Sequence, residues 1–123
     1  MHFRDHRQLE VYKLAYSTSM EIFELTKAFP PDEKYSLTSQ LRRCSRAVCG
    51  IFAEAYRKRR YPKSFIAKLN ESEGEAAESQ TWLDYARDCN YLPPQTVAEL
   101  DRKYDRIIGM LVNMQRAPDK WSV

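Results

Sequence analysis

Glycine is scarce in this chain, with three in 123 residues. Set beside its many Ala, Leu, Glu, Lys and Arg, that scarcity argues for helices. Val, Ile and Thr are sparse and never alternate for long, so strands have little support. No run approaches the roughly 18 apolar residues needed to span a bilayer. The opening, Met1-His2-Phe3-Arg4-Asp5-His6-Arg7, lacks the apolar core of a signal peptide. Histidine is limited to His2 and His6, so Glu54, Glu71, Glu75 and Glu78 lack the Glu-x-x-His pairs of a metal centre inside a bundle. Three cysteines, Cys44, Cys49 and Cys89, cannot all pair and form no Cys-x-x-Cys. They read as reduced thiols in a soluble, cytoplasmic protein. Neither Cys44 nor Cys49 has a histidine near in sequence, and there is no glycine-rich phosphate loop. The sequence argues against an enzyme and calls for no cofactor and no metal.

What is present fits one all-α domain. A chain of 123 residues, 43% hydrophobic and 30% charged, is long enough for a core without staples and too apolar for disorder. Apolar spacing of three and four predicts helices over about 5–28, 36–60, 62–89 and 94–115, followed by a tail at 116–123 containing Trp121. The inward rows are Leu9, Tyr12, Tyr16 and Phe23 with Val11, Ala15, Ile22 and Leu25 in the first helix. The third has Phe65, Leu69, Ser72, Ala76, Ser79, Leu83 and Ala86; the fourth has Val97, Leu100, Tyr104, Ile107, Leu111 and Met114. Pro30-Pro31 and Pro93-Pro94 punctuate the connectors, and Pro62 opens the third helix. Short links between four helices give an antiparallel up-down-up-down four-helix bundle.

The second helix organises the rest. Leu37, Leu41, Cys44, Val48, Ile51 and Ala55 form its stripe, and Ser36 is placed to cap its first turn. From Ala47 to Ala53 seven uncharged residues follow one another. A helix apolar all round needs cover on several sides, which points to a second subunit on Ala47, Cys49, Gly50, Phe52 and Ala53. Glu54 is expected to pair with an arginine or with Lys58 one turn on. Next come Arg57, Lys58, Arg59, Arg60 and Lys63, with Arg42, Arg43 and Arg46 on the same helix. Residues 1–63 hold 13 Lys/Arg against 7 Asp/Glu, whereas residues 64–123 hold 7 against 10. Arg42 and Arg46 repel each other one turn apart unless an anion or acid intervenes. Arginine forks suit phosphate, and Tyr56 and Tyr61 flank the cluster where they can stack on bases. The plainer reading is a solvated helix end whose cations complement the helix dipole.

Several blocks carry a resemblance. His6-Arg7-Gln8-Leu9-Glu10-Val11-Tyr12-Lys13-Leu14-Ala15, Thr26-Lys27-Ala28-Phe29-Pro30, Glu33-Lys34-Tyr35-Ser36-Leu37 and Ser39-Gln40-Leu41-Arg42-Arg43 are four of them. Ala53-Glu54, the run Gly74-Glu75-Ala76-Ala77-Glu78-Ser79-Gln80-Thr81-Trp82-Leu83 and Cys89-Asn90-Tyr91-Leu92 complete the set. Over about residues 6–115 the chain resembles the four-helix-bundle proteins encoded in intervening sequences of bacterial large-subunit ribosomal RNA genes. Those are related to the accessory variability determinant of diversity-generating retroelements, a pentameric barrel that binds RNA, DNA and a reverse transcriptase. The resemblance implies a non-catalytic homopentameric barrel, associated with RNA or DNA and partnered by a reverse transcriptase or ribonucleoprotein. The family's usual Asn-Ile-Ala-Glu-Gly is replaced here by Ile51-Phe52-Ala53-Glu54-Ala55, so no role of that motif carries over. The alternative of a different class is a structural or protein-adaptor oligomer whose charge asymmetry serves subunit contacts.

Overall fold

A computed structural model describes residues 5–123; His2 lies outside them. Helices α1 (Glu10–Thr26), α2 (Leu37–Arg57), α3 (Pro62–Asp88) and α4 (Pro94–Arg116) are joined by short links, and single 3₁₀ turns occupy His6–Gln8, Pro31–Glu33 and Pro118–Trp121. Each helix packs on two neighbours in the cyclic order α1, α2, α3, α4, and the diagonal pairs make no close approach. The architecture is the expected antiparallel four-helix bundle.

Pro62 and Pro94 each occupy a first turn, where their missing N–H is no loss. Ser36 stands before α2, but its side chain makes no capping bond. The Glu33 carboxylate accepts from the Leu37 N–H instead, at 3.3 Å. At the far end of α3, Asn90 takes φ 64°, and the Tyr91 and Asn90 N–H groups return to Ala86 and Arg87 carbonyls. This left-handed cap reverses the chain.

The inward rows of α3 and α4 are the buried rows of the structure, residue for residue. Small side chains let α2 and α3 approach closely: Ser72 donates to the Val48 carbonyl across the seam at 2.8 Å, and Ser79 Oγ sits 3.1 Å from Cys44 Sγ. On α1 the expectation is half right. Val11, Ala15 and Ile22 are buried, but the row around Tyr12, Tyr16 and Phe23 lies on the flank, and Thr18, Ser19 and Thr26 fill the inside. Their hydroxyls bond Leu14, Tyr16 and Phe23 carbonyls, so they enter the core without an orphaned polar group. Trp121 of the tail packs half-buried against the core.

The covering of α2 needs correction. Cys49 and Phe52 are buried within this chain (8% and 1% exposed), because α2 is flanked by both α1 and α3. No second subunit is required to shield them. Of the five residues assigned to a subunit contact, Ala47 and Ala53 are half-buried and Gly50 is exposed. Among the described residues no helix is long and apolar enough to cross a membrane.

Candidate nucleic-acid interface

The basic cluster forms where α2 gives way to α3. A proline disfavours helical backbone in the residue before it, and Tyr61, ahead of Pro62, takes φ −117°, ψ 93°. The Lys58 N–H closes onto the Ala55 carbonyl at 2.9 Å and the Tyr61 N–H onto the Lys58 carbonyl at 2.8 Å. These bonds fold residues 57–63 into one tight corner. Its five cations have two fates. Arg59 is a packing element: its Nε donates to the Tyr56 carbonyl at 2.8 Å and its guanidinium lies 3.7 Å from the Tyr56 ring centroid. Arg57, Lys58, Arg60 and Lys63 are exposed, and no carboxylate of the described residues pairs with them. Tyr56, Arg57, Arg59, Arg60, Tyr61 and Val123 line a cavity of about 420 Å³ at this corner.

Tyr56 does not serve as a stacking platform, being 2% exposed beneath Arg59, whereas Tyr61 is 59% exposed. The antiparallel packing also brings the last turn of α4 to this end of the bundle. It adds exposed Arg116, followed by exposed Lys120. Sequence reading missed these two because it left the tail unplaced.

The other three arginines do not join the corner. Arg46 and Arg57 are eleven residues apart on one helix, roughly 16 Å along its axis. Arg43 turns to α3, where it meets Glu78 at 2.8 Å and Glu75 at 3.4 Å. Burial and a hydrogen bond with Glu78 push the Glu75 carboxyl up, while the bonds with Arg43, Glu75 and Trp82 outweigh burial at Glu78 and hold it below its usual range. Arg42 and Arg46 face α1 instead, with guanidinium carbons 4.8 and 5.6 Å from the Phe23 ring centroid. Arg42 Nε also donates to Thr26 Oγ1 at 2.9 Å.

Glu54 pairs with neither Lys58 nor an arginine. Its partner is Lys68 at 3.3 Å, which also holds Glu71 at 3.1 Å. A partner fourteen residues away on the next helix leaves no local signature in sequence. The acidic strip of α3 (Glu71, Glu75 and Glu78) is therefore engaged by cations of its own chain. Among the described residues, no three His, Cys, Asp or Glu side chains are grouped so as to hold a metal ion.

The family model for the 23S rRNA-intervening sequence protein matches residues 7–113. The chain belongs to this family. No curated protein matches the sequence. Among solved structures, the chain is similar to a crystal structure of a protein with unknown function from the S23 ribosomal protein family, from Bacteroides thetaiotaomicron VPI-5482. The two are 21% identical, with 85% of this chain and 97% of that one covered, at a TM-score of 0.76. At that identity the likeness establishes the shared fold. Neither description names a reaction, so the corner is read from its own chemistry.

Proposed function

We propose that this member of the family is a non-catalytic accessory protein that binds RNA or DNA through phosphate contacts at the α2–α3 corner. One observation carries the reading: four exposed cations share a corner without a carboxylate partner among the described residues, while Glu71, Glu75 and Glu78 of α3 are already matched to Arg43 and Lys68. Placing like charges together costs free energy unless an anion arrives. Polyanionic nucleic acid supplies that anion and gains the entropy of released counterions. The engagement of α3 also weakens the adaptor reading, in which the acidic strip would meet the basic corner of a neighbouring subunit.

Self-association into a pentamer, as the family resemblance implies, belongs to the same proposal. Several corners on one strand would then act by avidity, so long oligonucleotides would bind better than short ones. A reverse transcriptase or ribonucleoprotein is the protein partner that fits an accessory role.

The test is affinity against salt. Log affinity for unpaired RNA or DNA should fall linearly with log salt, at about −0.7 per phosphate contacted. Replacing Arg57, Arg59 and Arg60 together by Gln should flatten the slope and weaken all sequences alike, because phosphate contacts carry no base information. If that variant binds as the parent does at physiological salt, the corner is a solvated helix end and the adaptor reading leads.

A further inference from the structure

The two flanks of α1 are treated differently. The flank toward α4 is charge-matched: Lys103 meets Glu21 at 2.7 Å and Arg106 pairs with Glu10. The flank toward α2 carries aromatic rings and meets cations. Phe23 and Tyr16 are seven residues apart, two turns along one face, and the Tyr12 and Tyr16 rings lie 6.0 Å apart at 28°. Tyr16 is 52% exposed. Opposite them Arg42 and Arg46 share the Phe23 ring, and no carboxylate of the described residues pairs with either. The cation–π contact orients a guanidinium but leaves its charge whole. Glu24, beside Phe23 in sequence, is already paired with Lys27 at 3.1 Å.

We propose that the groove between α1 and α2 carries an unpaired nucleic-acid strand onward from the basic corner, Arg42 and Arg46 holding its phosphates and Tyr16 stacking a base. The inference rests on the nucleic-acid reading of the corner and adds both the path and the preference for an unpaired strand. The helices are antiparallel, so moving from Arg46 toward Arg57 on α2 runs alongside moving from Phe23 toward Tyr12 on α1. Each course covers eleven residues, about 16 Å, and brings the strand to the corner. Arg42 is fixed by Thr26 and by Phe23 before any ligand arrives, so little side-chain freedom is lost on binding. The exposed Tyr16 face suits unpaired bases, since every base offers a π-face and a duplex hides it.

The experiment follows the fluorescence anisotropy of labelled oligo(dT) of about 30 nucleotides and of a duplex of equal length, over a salt series. The proteins are the parent, Arg46→Gln, Tyr16→Ala and the triple corner variant Arg57→Gln/Arg59→Gln/Arg60→Gln. Both single sites are exposed, and thermal melts confirm that the variants fold. Arg46→Gln should lower the salt slope for the strand by about 0.7. Tyr16→Ala should weaken the strand roughly 5- to 150-fold with an unchanged slope and an unchanged duplex affinity. If both bind the strand like the parent while the triple corner variant loses it, the corner stands and the groove falls. If the parent binds no strand, both readings fall together. If Arg46→Gln changes the mass seen by light scattering and leaves strand affinity intact, the groove is a subunit contact and the proposal is overturned.

Discussion

The two ends of the bundle are built on opposite plans. Where α1 hands over to α2 and α3 to α4, the connectors are stitched together. The Tyr91 hydroxyl donates to Glu33 at 2.9 Å, and Phe29 packs on the Tyr91 ring at 5.3 Å. Glu33 also receives the first N–H of α2, and Leu92 is buried. At the other end, the α2–α3 corner gathers exposed cations that pair with no carboxylate of the described residues. One end spends its polar groups on its own fold; the other leaves four cations exposed. The difference separates residues that hold the bundle from residues whose charge the fold does not use.

Removing a ring from the stitched end should have the largest effect on stability. Phe29 is 8% exposed, and truncating a buried Phe to Ala costs on the order of 3 kcal/mol through lost burial and the cavity left behind. Urea denaturation of Phe29→Ala should show that loss. At temperatures where the variant is folded, its salt slope for nucleic acid should equal the parent's. A changed slope would mean that the two ends are coupled.

The middle of the α2–α3 seam lies between these extremes. Arg43 spans Glu75 and Glu78 with its side chain 49% exposed, so the pairs are screened and Arg43→Gln should cost about 0.2–1 kcal/mol. The pH dependence carries more information than the size. Burial pushes Glu78 up, but its bonds with Arg43, Glu75 and Trp82 outweigh that and hold it below its usual range. Its contribution is present above the ordinary carboxylate range and is lost as pH falls through the lowered value. Glu75 is raised by burial and by Glu78, so protonating it works in the opposite sense. Without Arg43 both carboxylates face each other unscreened. The variant should therefore lose less stability on acidification than the parent, as read from melting temperatures between pH 7 and 3. An unchanged acid profile would show that the pair is not what titrates.

The seam and the two ends were legible to different degrees in sequence. The rows of α3 and α4 could be read because their small and apolar residues keep a strict three/four repeat, and packing follows that period directly. On α1 the same rule misplaced the row of Tyr16 and Phe23. Buried Thr18 and Ser19 look polar on paper, yet they satisfy their hydroxyls on their own helix. On α2 seven uncharged residues looked too many for one bundle, but contact with two neighbours covers Cys49 and Phe52. The corner at Arg57, Lys58, Arg59, Arg60 and Lys63 was legible as a run, since proximity in sequence enforces proximity in space. The separation of Arg43 from Arg42 was not, because one helical step decides which neighbour an arginine meets.

The smallest effect should come from the open end itself. The triple Gln variant at Arg57, Arg59 and Arg60 removes three positive charges, none of which pairs with a carboxylate of the described residues. Losing Arg59 forfeits its bond to the Tyr56 carbonyl and its contact with the Tyr56 ring. Losing Arg57 forfeits favourable interaction with the C-terminal dipole of α2, a few tenths of a kcal/mol at an exposed helix end. Against these losses stands the relief of repulsion among cations crowded at one corner, with Lys58 and Lys63 still in place. The terms are similar in size and opposite in sign, so stability should change by no more than about 0.5 kcal/mol. Raising salt should narrow even that difference, because screening weakens both the dipole term and the repulsion. Urea titrations of parent and variant at low and high salt measure it. A loss above about 1 kcal/mol would mean that the cations hold the turn closed, and the contrast between a stitched end and an open one would then fail on structural grounds, whatever nucleic acid does.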